Sequence, residues 1–359
     1  MGEALFHDPR LSGNRQQSCA SCHARERAFT DPRVGLTTGA TSLGADGQSL
    51  GRRNAPTLTY VALVPAFSVD SDGYRGGLFH DGRAATLVAQ ASGPLHAPRE
   101  MGLPDPAALV ARLREEPAYV AAIERLNPEL TPTDDAAVYA SALAAIVAFE
   151  RSQQFSTFDS KYDRFLSGRY EMTTDEAMGR EIFFSSLANC RHCHLQDPEH
   201  RNPREPFSNH RYFNIGVPAN EQLAAAFGEA WTTDLGLAEH LPDVPASQRG
   251  RFRVPTLRNV AVTAPYMHNG VFQKLETAVR FYSRYVVSNA FSQTNPETGA
   301  PWGAPMVKDT IALELLADGQ PMGPDRLRQL VAFLRTLTDA RYEPLLTAAE
   351  STPTLGPVP

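Results

Sequence analysis

The sequence predicts a mainly α-helical protein of two domains. Three observations carry this: apolar residues recur at helical spacing, strand signals are weak, and each half of the chain holds one Cys-x-x-Cys-His run. Residues 105–127 read as a helix entered at Asp105-Pro106, because aspartate caps a helix and proline tolerates its first turn. Residues 134–151 read as a longer helix, with Tyr139, Leu143, Ile146, Val147 and Glu150 along one side. Residues 174–187 read as a helix leading into the second cysteine run. Pro324 opens a last helix, with Leu327, Leu330, Val331 and Leu334 on one stripe. The 28 prolines and 25 glycines are spread throughout, as expected of short helices joined by long loops. The expected division is 1–155 and 156–345, with a junction within 151–161 and the last helix packing back on the first domain. Residues 346–359 are expected to form a flexible tail.

Composition sets bounds on function. The 359 residues suffice for two cores, and 42% hydrophobic with 21% charged residues is ordinary for a globular protein. A formal net charge of −6 argues against a nucleic-acid partner and gives no sign of an anionic membrane surface. No uninterrupted apolar run approaches the roughly 18 residues of a membrane span.

The two cysteine runs are Cys19-Ala20-Ser21-Cys22-His23 and Cys190-Arg191-His192-Cys193-His194. C-x-x-C-H is the attachment sequence of a c-type haem. Its two thiols reach the vinyl groups of one porphyrin, and the adjacent histidine ligates the iron. A four-cysteine zinc site or a redox dithiol would leave both histidines unexplained. All four cysteines of the chain are used by the two runs, so none remains for a disulfide framework. Two covalently bound haems are therefore expected, and with them electron transfer or peroxide chemistry. Haem attachment takes place outside the bacterial cytoplasm, so the expected location is the periplasm, with a signal peptide expected before Met1.

Further runs carry a resemblance. They are Leu5-Phe6-His7-Asp8-Pro9-Arg10-Leu11-Ser12, Arg53-Asn54-Ala55-Pro56-Thr57, Asp81-Gly82-Arg83-Ala84, Leu257-Arg258-Asn259-Val260-Ala261 and Ala264-Pro265-Tyr266-Met267-His268. Over nearly the whole chain these resemble the bacterial dihaem cytochrome c peroxidase superfamily. The runs 295–303, 158–163 and 341–346 resemble its MauG-like branch. The resemblance implies two cytochrome c-like haem domains with long loops. It also implies an enzyme that uses H₂O₂ to reach a high-valent haem state. That state would oxidise tryptophans of a precursor of methylamine dehydrogenase to tryptophan tryptophylquinone. The other activity the superfamily implies is a peroxidase fed by a small cytochrome or cupredoxin.

The resemblance also implies roles for single residues. His23 and His194 would be the proximal ligands, and Tyr282 the sixth ligand of the second iron, where classical members carry methionine. Spacing alone reads Tyr282 as a core tyrosine, since Leu275, Ala278, Val279 and Tyr282 fall on one helical face. Gln90, Pro94 and Glu100 would lie over the first haem, with Glu100 as acid–base group. Read by themselves, Glu100 is a solvated loop carboxylate and His96, a rival in the same loop, a packed or surface histidine. A Ca²⁺ between the haems would take the Asn54 side chain and the Thr263 and Pro265 carbonyls; Asn54 by itself reads as a turn residue. Two departures stand out. His80 occupies the position of an inter-haem tryptophan, and Ala188 that of a second tryptophan before the second haem run; the chain's two tryptophans are Trp231 and Trp302.

Overall fold

The computed structural model describes residues 1–34, 40–129, 133–197, 202–228, 231, 233–241 and 243–351. The chain divides into two compact units, one of Met1–Phe67, Gly77–Phe79 and Ala84–Ser156, the other of Ser68–Gly76, His80–Arg83 and Thr157–Pro359. The second unit thus takes up two short segments from the first half of the sequence.

The first unit contains α1 (Gly2–His7), α2 (Cys19–Cys22), α3 (Leu87–His96), α4 (Pro106–Arg114), α5 (Pro117–Leu126) and α6 (Asp135–Glu150). The helix expected over 105–127 is interrupted. Glu116 has extended backbone before Pro117, and proline disfavours helical geometry in the residue it follows. Helix α6 matches its expected span to within one residue at each end and is capped by the Asp134 carboxylate, which accepts from Ala137 N. Leu143, Ile146 and Val147 are buried on it. Each such side chain is worth roughly 1.5–3 kcal/mol when removed from water. Helix α1 lies against α6 at Gly2, where a Cβ would stand 1.9 Å from Ala145 O.

The second unit contains the hairpin β1 (Ser68–Asp70) and β2 (Gly73–Arg75), then α7 (Lys161–Leu166), α8 (Thr174–Phe184) and α9 (Arg191–His194). After them come β3 (Tyr212–Phe213), α10 (Glu221–Phe227), α11 (Leu237–His240) and β4 (Phe252–Arg253). Helices α12 (Leu275–Phe281), α13 (Ala290–Gln293), α14 (Leu313–Ala317), α15 (Pro324–Thr336) and α16 (Glu343–Ser351) complete it. β1 pairs with β2 and β3 with β4, both antiparallel.

Helix α15 carries the expected stripe, and Leu327, Leu330, Val331 and Leu334 are all buried. It packs on α8 of its own unit. The contact is a close one: a Cβ on Gly179 would lie 1.9 Å from Gln329 O. The two units therefore repeat one device, a glycine on the helix that precedes the cysteine run letting a later helix approach backbone to backbone. Three expectations need correction. Helix α8 ends at Phe184, before residue 187; α15 is followed by α16; and residues 346–351 of the expected tail are helical. Residues 352–359 of that tail lie outside the described residues.

Candidate haem sites

Each Cys-x-x-Cys-His run forms one short helical turn. In the first, Ser18 and Ser21 form a capping box around α2, and His23 N donates to Cys19 O at 2.9 Å. In the second, His194 N donates to Cys190 O at 3.0 Å. This folding over brings both thiols and the histidine ring of each run to one side. All four cysteines are free thiols. Burial pushes each of them up to about 12, with the Glu150 carboxyl adding to the effect at Cys19. Two thiols with an adjacent histidine on one turn fit thioether attachment of a haem, whereas a four-cysteine zinc site would leave both histidines unused.

The histidine rings are set in the same way in both units. His23 Nδ1 lies 3.0 Å from Phe29 O, and His194 Nδ1 lies 3.1 Å from Phe207 O. A carbonyl only accepts, so Nδ1 carries the ring hydrogen and Nε2 presents its lone pair, the tautomer that ligates iron. Burial lowers the pKa of both, that of His194 to about 4, and keeps the rings neutral. Phe29 and Phe207 share a positive φ of 54°, which turns each carbonyl toward its histidine. These two carbonyl acceptors had no signal in the sequence. Free thiols beside a neutral imidazole with an open Nε2 are what covalently attached haem needs, and both units supply that set.

Around the first run, Arg33 binds Asp31 through two nitrogens at 2.9 and 2.7 Å and reaches Cys22 Sγ at 3.1 Å. Gln17 Nε2 donates to Glu100 O at 3.3 Å, and Ala45 N donates to the same carbonyl at 2.7 Å. The loop bearing Glu100 is thereby tied to the attachment turn, and the Glu100 carboxyl bears on the Cys22 thiol. Gln90 and Pro94 stand one helical turn apart on α3, both half-buried. His96 is taken up elsewhere: its Nε2 lies 3.0 Å from Tyr139 OH, and its ring stacks on that tyrosine. It is half-buried against Tyr139, and Glu100 remains the acid–base candidate in this unit.

Glu150, read from the sequence only as a position on a stripe, is 4% exposed, and its Oε2 has no hydrogen-bond partner. Burial raises its pKa to about 8. The folded state therefore keeps a proton that the unfolded chain has lost, from the ordinary carboxylate range up to about pH 8. Over that window stability falls as pH rises, by up to about 1.4 kcal/mol per unit. Glu150→Gln is expected to flatten this slope; denaturant titrations of both proteins at pH 5 and pH 8 that show the same loss would refute it.

In the second unit Tyr282 ends α12 and opens a 3-10 turn, Tyr282–Tyr285. Phe281 takes the core position at 0% exposure, whereas Tyr282 is 36% exposed. The core stripe of this helix therefore runs through Leu275, Ala278 and Phe281, and Tyr282 departs from it. Burial of its hydroxyl end, with the Cys193 and Cys190 sulfurs close by, raises its pKa above the ordinary phenol value. Tyr282 thus lies within electrostatic reach of both thiols of the second run.

Arg258, fully buried, anchors the same region. It binds Asp163 through two nitrogens at 3.0 and 3.1 Å and donates from Nε to Glu205 O at 2.7 Å. Glu205 is two residues from Phe207, whose carbonyl holds His194. The sequence quoted Arg258 only as part of a run and assigned it no role.

The remaining expected residues are placed as follows. Asn54 is half-buried in the first unit. In the second unit, Thr263 caps the 3-10 turn Val260–Val262 and Pro265 follows a cis peptide bond. Among the described residues no group of three or more His, Cys, Asp or Glu could hold a metal ion. His80 is half-buried, and its carbonyl accepts from Arg253 N at 2.8 Å. Ala188 packs on the edge of the second core. Trp302 is a core residue, donating from Nε1 to Ser292 O at 2.7 Å with its ring against Phe272 and Phe281. No helix among the described residues is long and apolar enough to cross a membrane.

Comparison with known proteins agrees with this geometry. Residues 1–171 match the Di-haem cytochrome c peroxidase family. The chain is 49% identical over 348 residues to the methylamine utilization protein MauG of Paracoccus denitrificans, covering 96% of this chain and 89% of that protein. It is 32% identical over 296 residues to the cytochrome c peroxidase Ccp of Escherichia coli, covering 82% of this chain and 54% of that protein. Among solved structures, the diheme peroxidase BthA of Burkholderia thailandensis superposes with a TM-score of 0.79 at 33% identity, over 95% of this chain and 86% of that one. A MauG-like protein associated with microbial copper homeostasis gives 0.69 at 30% identity, over 99% and 91%. With two thiol–imidazole sites of one design and relatives of this kind along its whole length, the chain belongs to the MauG-like members of the dihaem cytochrome c peroxidase family and is an oxidoreductase carrying two c-type haems.

Proposed function

We propose that this protein uses H₂O₂ to oxidise tryptophans of a precursor protein, methylamine dehydrogenase, to tryptophan tryptophylquinone in the periplasm. The observation that carries the proposal is Tyr282, which leaves the core stripe and lies near both thiols of the second run. The 49% identity to a methylamine utilization protein supports the choice of substrate. In this reading Cys19, Cys22 and His23 hold the first haem, and Cys190, Cys193, His194 and Tyr282 hold the second. When bound, the haems supply the two-electron oxidising chemistry.

The chain's own residues do the rest. Glu100 takes the proton of the incoming peroxide and returns it to the departing oxygen. Gln90 orients the peroxide oxygens by hydrogen bonding. Pro94 offers no donor and keeps a protein ligand away. Ca²⁺ is the further ion proposed, one that takes oxygen donors.

A second reading is a peroxidase that reduces H₂O₂ with electrons from a small cytochrome or cupredoxin. What favours it is the absence of indole where the family relays oxidising equivalents: His80 and Ala188 occupy those positions, and Trp302 is enclosed in the core. One experiment separates the two. Purified protein is mixed with H₂O₂ and either precursor methylamine dehydrogenase or a reduced small cytochrome. The proposal expects the quinone absorption to grow in the first mixture; cytochrome oxidation without quinone growth would overturn it. Glu100→Gln is expected to slow peroxide consumption by roughly 10²–10⁴-fold with two haems still bound. An unchanged rate would place proton transfer elsewhere.

A further inference from the structure

We infer that His210 and Arg253 form the carboxylate-binding corner of the second haem site and hold a propionate of that haem. The inference rests on the placement of this haem at Cys190, Cys193 and His194 proposed above. It starts from an unmet donor. His210 is 1% exposed, and its Nε2 is buried without a hydrogen-bond partner. Arg253 Nη1 lies 3.4 Å from His210 Nδ1. Ser208 Oγ also lies 3.2 Å from Nδ1 and can serve as donor or acceptor; the guanidinium can only donate, and the tautomer that meets it has Nδ1 as acceptor and the ring hydrogen on Nε2. Burial, with Arg253 and Arg75 nearby, lowers the His210 pKa to about 3, so the ring stays neutral and offers a single N–H. A buried N–H without an acceptor is rare in a folded protein and calls for a missing partner.

The charge at this corner has the same sign as that donor. Arg253 and Arg75 both bear on His210. Asp81, the carboxylate that bears on Arg253, is engaged by Arg83 at 2.9 Å and by His240 at 3.0 Å. A cationic corner with an unmet N–H selects an anion, and a carboxylate suits both groups.

Its position identifies the source of that carboxylate. Phe207, three residues before His210, holds the His194 ring through its carbonyl. Asn209, the residue before His210, donates from its backbone to Cys193 O at 2.9 Å and from its side chain to His192 O at 3.0 Å. On the facing strand, Arg253 pairs with Tyr212 and stands two residues before Pro255, whose backbone also bears on His194. His210, two residues before β3, and Arg253, on β4, thus lie on the two segments tied to the axial histidine, where a haem ligated by His194 would bring two carboxylates that need donors.

The test uses the haem-loaded protein. Haem content is counted by pyridine haemochromogen, and both haems are followed in a spectroelectrochemical titration. Removing a positive charge beside a haem favours its ferric form. Arg253→Gln is therefore expected to lower the midpoint potential of the second haem and leave the first unmoved, and Arg253→Lys to restore most of the shift. His210→Phe is expected to lower the same potential, and His210→Gln, which keeps an N–H, to stay near the parent value. Should Arg253→Gln fail to fold, the His210 pair decides. Two haems per chain with an unmoved second potential in His210→Phe, or a shift confined to the first haem, would overturn the inference. A protein with both Cys190→Ala and Cys193→Ala that still carries two covalent haems would instead overturn the placement of the second haem.

Discussion

Replacing Tyr282 with methionine is expected to abolish quinone formation by at least about 10²-fold while both haems stay attached. The reason is the donor at the second iron. A phenolate is a hard, anionic ligand that favours ferric and more oxidised iron; a thioether is soft and neutral and favours ferrous iron. In the protein, burial and the two nearby sulfurs hold the Tyr282 phenol in its protonated form. Only direct bonding to a metal ion would take its proton at neutral pH. The electron paramagnetic resonance spectrum of the resting protein is therefore expected to show one high-spin and one low-spin ferric centre. In Tyr282→Met the low-spin g-values should move to those of a histidine–methionine pair. The same spectrum in both proteins would remove Tyr282 from the ligand set.

Arg258→Met is expected to destabilise the protein by about 3–5 kcal/mol, because it leaves the Asp163 carboxylate buried opposite an apolar chain. Asp163 would keep Ser160, which donates from its backbone at 3.0 Å and from its hydroxyl at 2.6 Å, but not its counter-charge. Removing both partners, as Arg258→Met with Asp163→Leu, is expected to recover much of the loss, since paired removal leaves no orphaned charge. Because Arg258 also holds Glu205 O, the single variant should disturb the second haem before the first. Chemical denaturation followed at each haem's own absorption checks this. Equal stability of parent and single variant would show that the buried pair contributes nothing.

Some of this was legible in the sequence. The cysteine runs declared their chemistry because thioether attachment demands a fixed spacing. Helices α6 and α15 followed from apolar periodicity. What was illegible depends on contacts distant in sequence. Helix α3, which carries Gln90 and Pro94, was not predicted, because it holds an internal Gly93-Pro94 pair and buries only Leu87 and Leu95. The helix predicted over 105–127 ignored Pro117. Tyr282 fitted a core stripe by spacing, and only the fold shows that Phe281 takes the buried place. The Phe29 and Phe207 carbonyls, the Arg258 anchor and the buried Glu150 carboxyl have no local sequence signature.

The shared setting of His23 and His194 has a consequence for how the two irons come to differ. A carboxylate behind an axial imidazole gives it imidazolate character and pushes electron density onto the metal; a peptide oxygen gives much less. Both rings here back onto a peptide oxygen at nearly the same separation, 3.0 and 3.1 Å. Electron donation through the axial imidazoles is therefore matched, and whatever sets one centre apart from its twin must come from other groups around it.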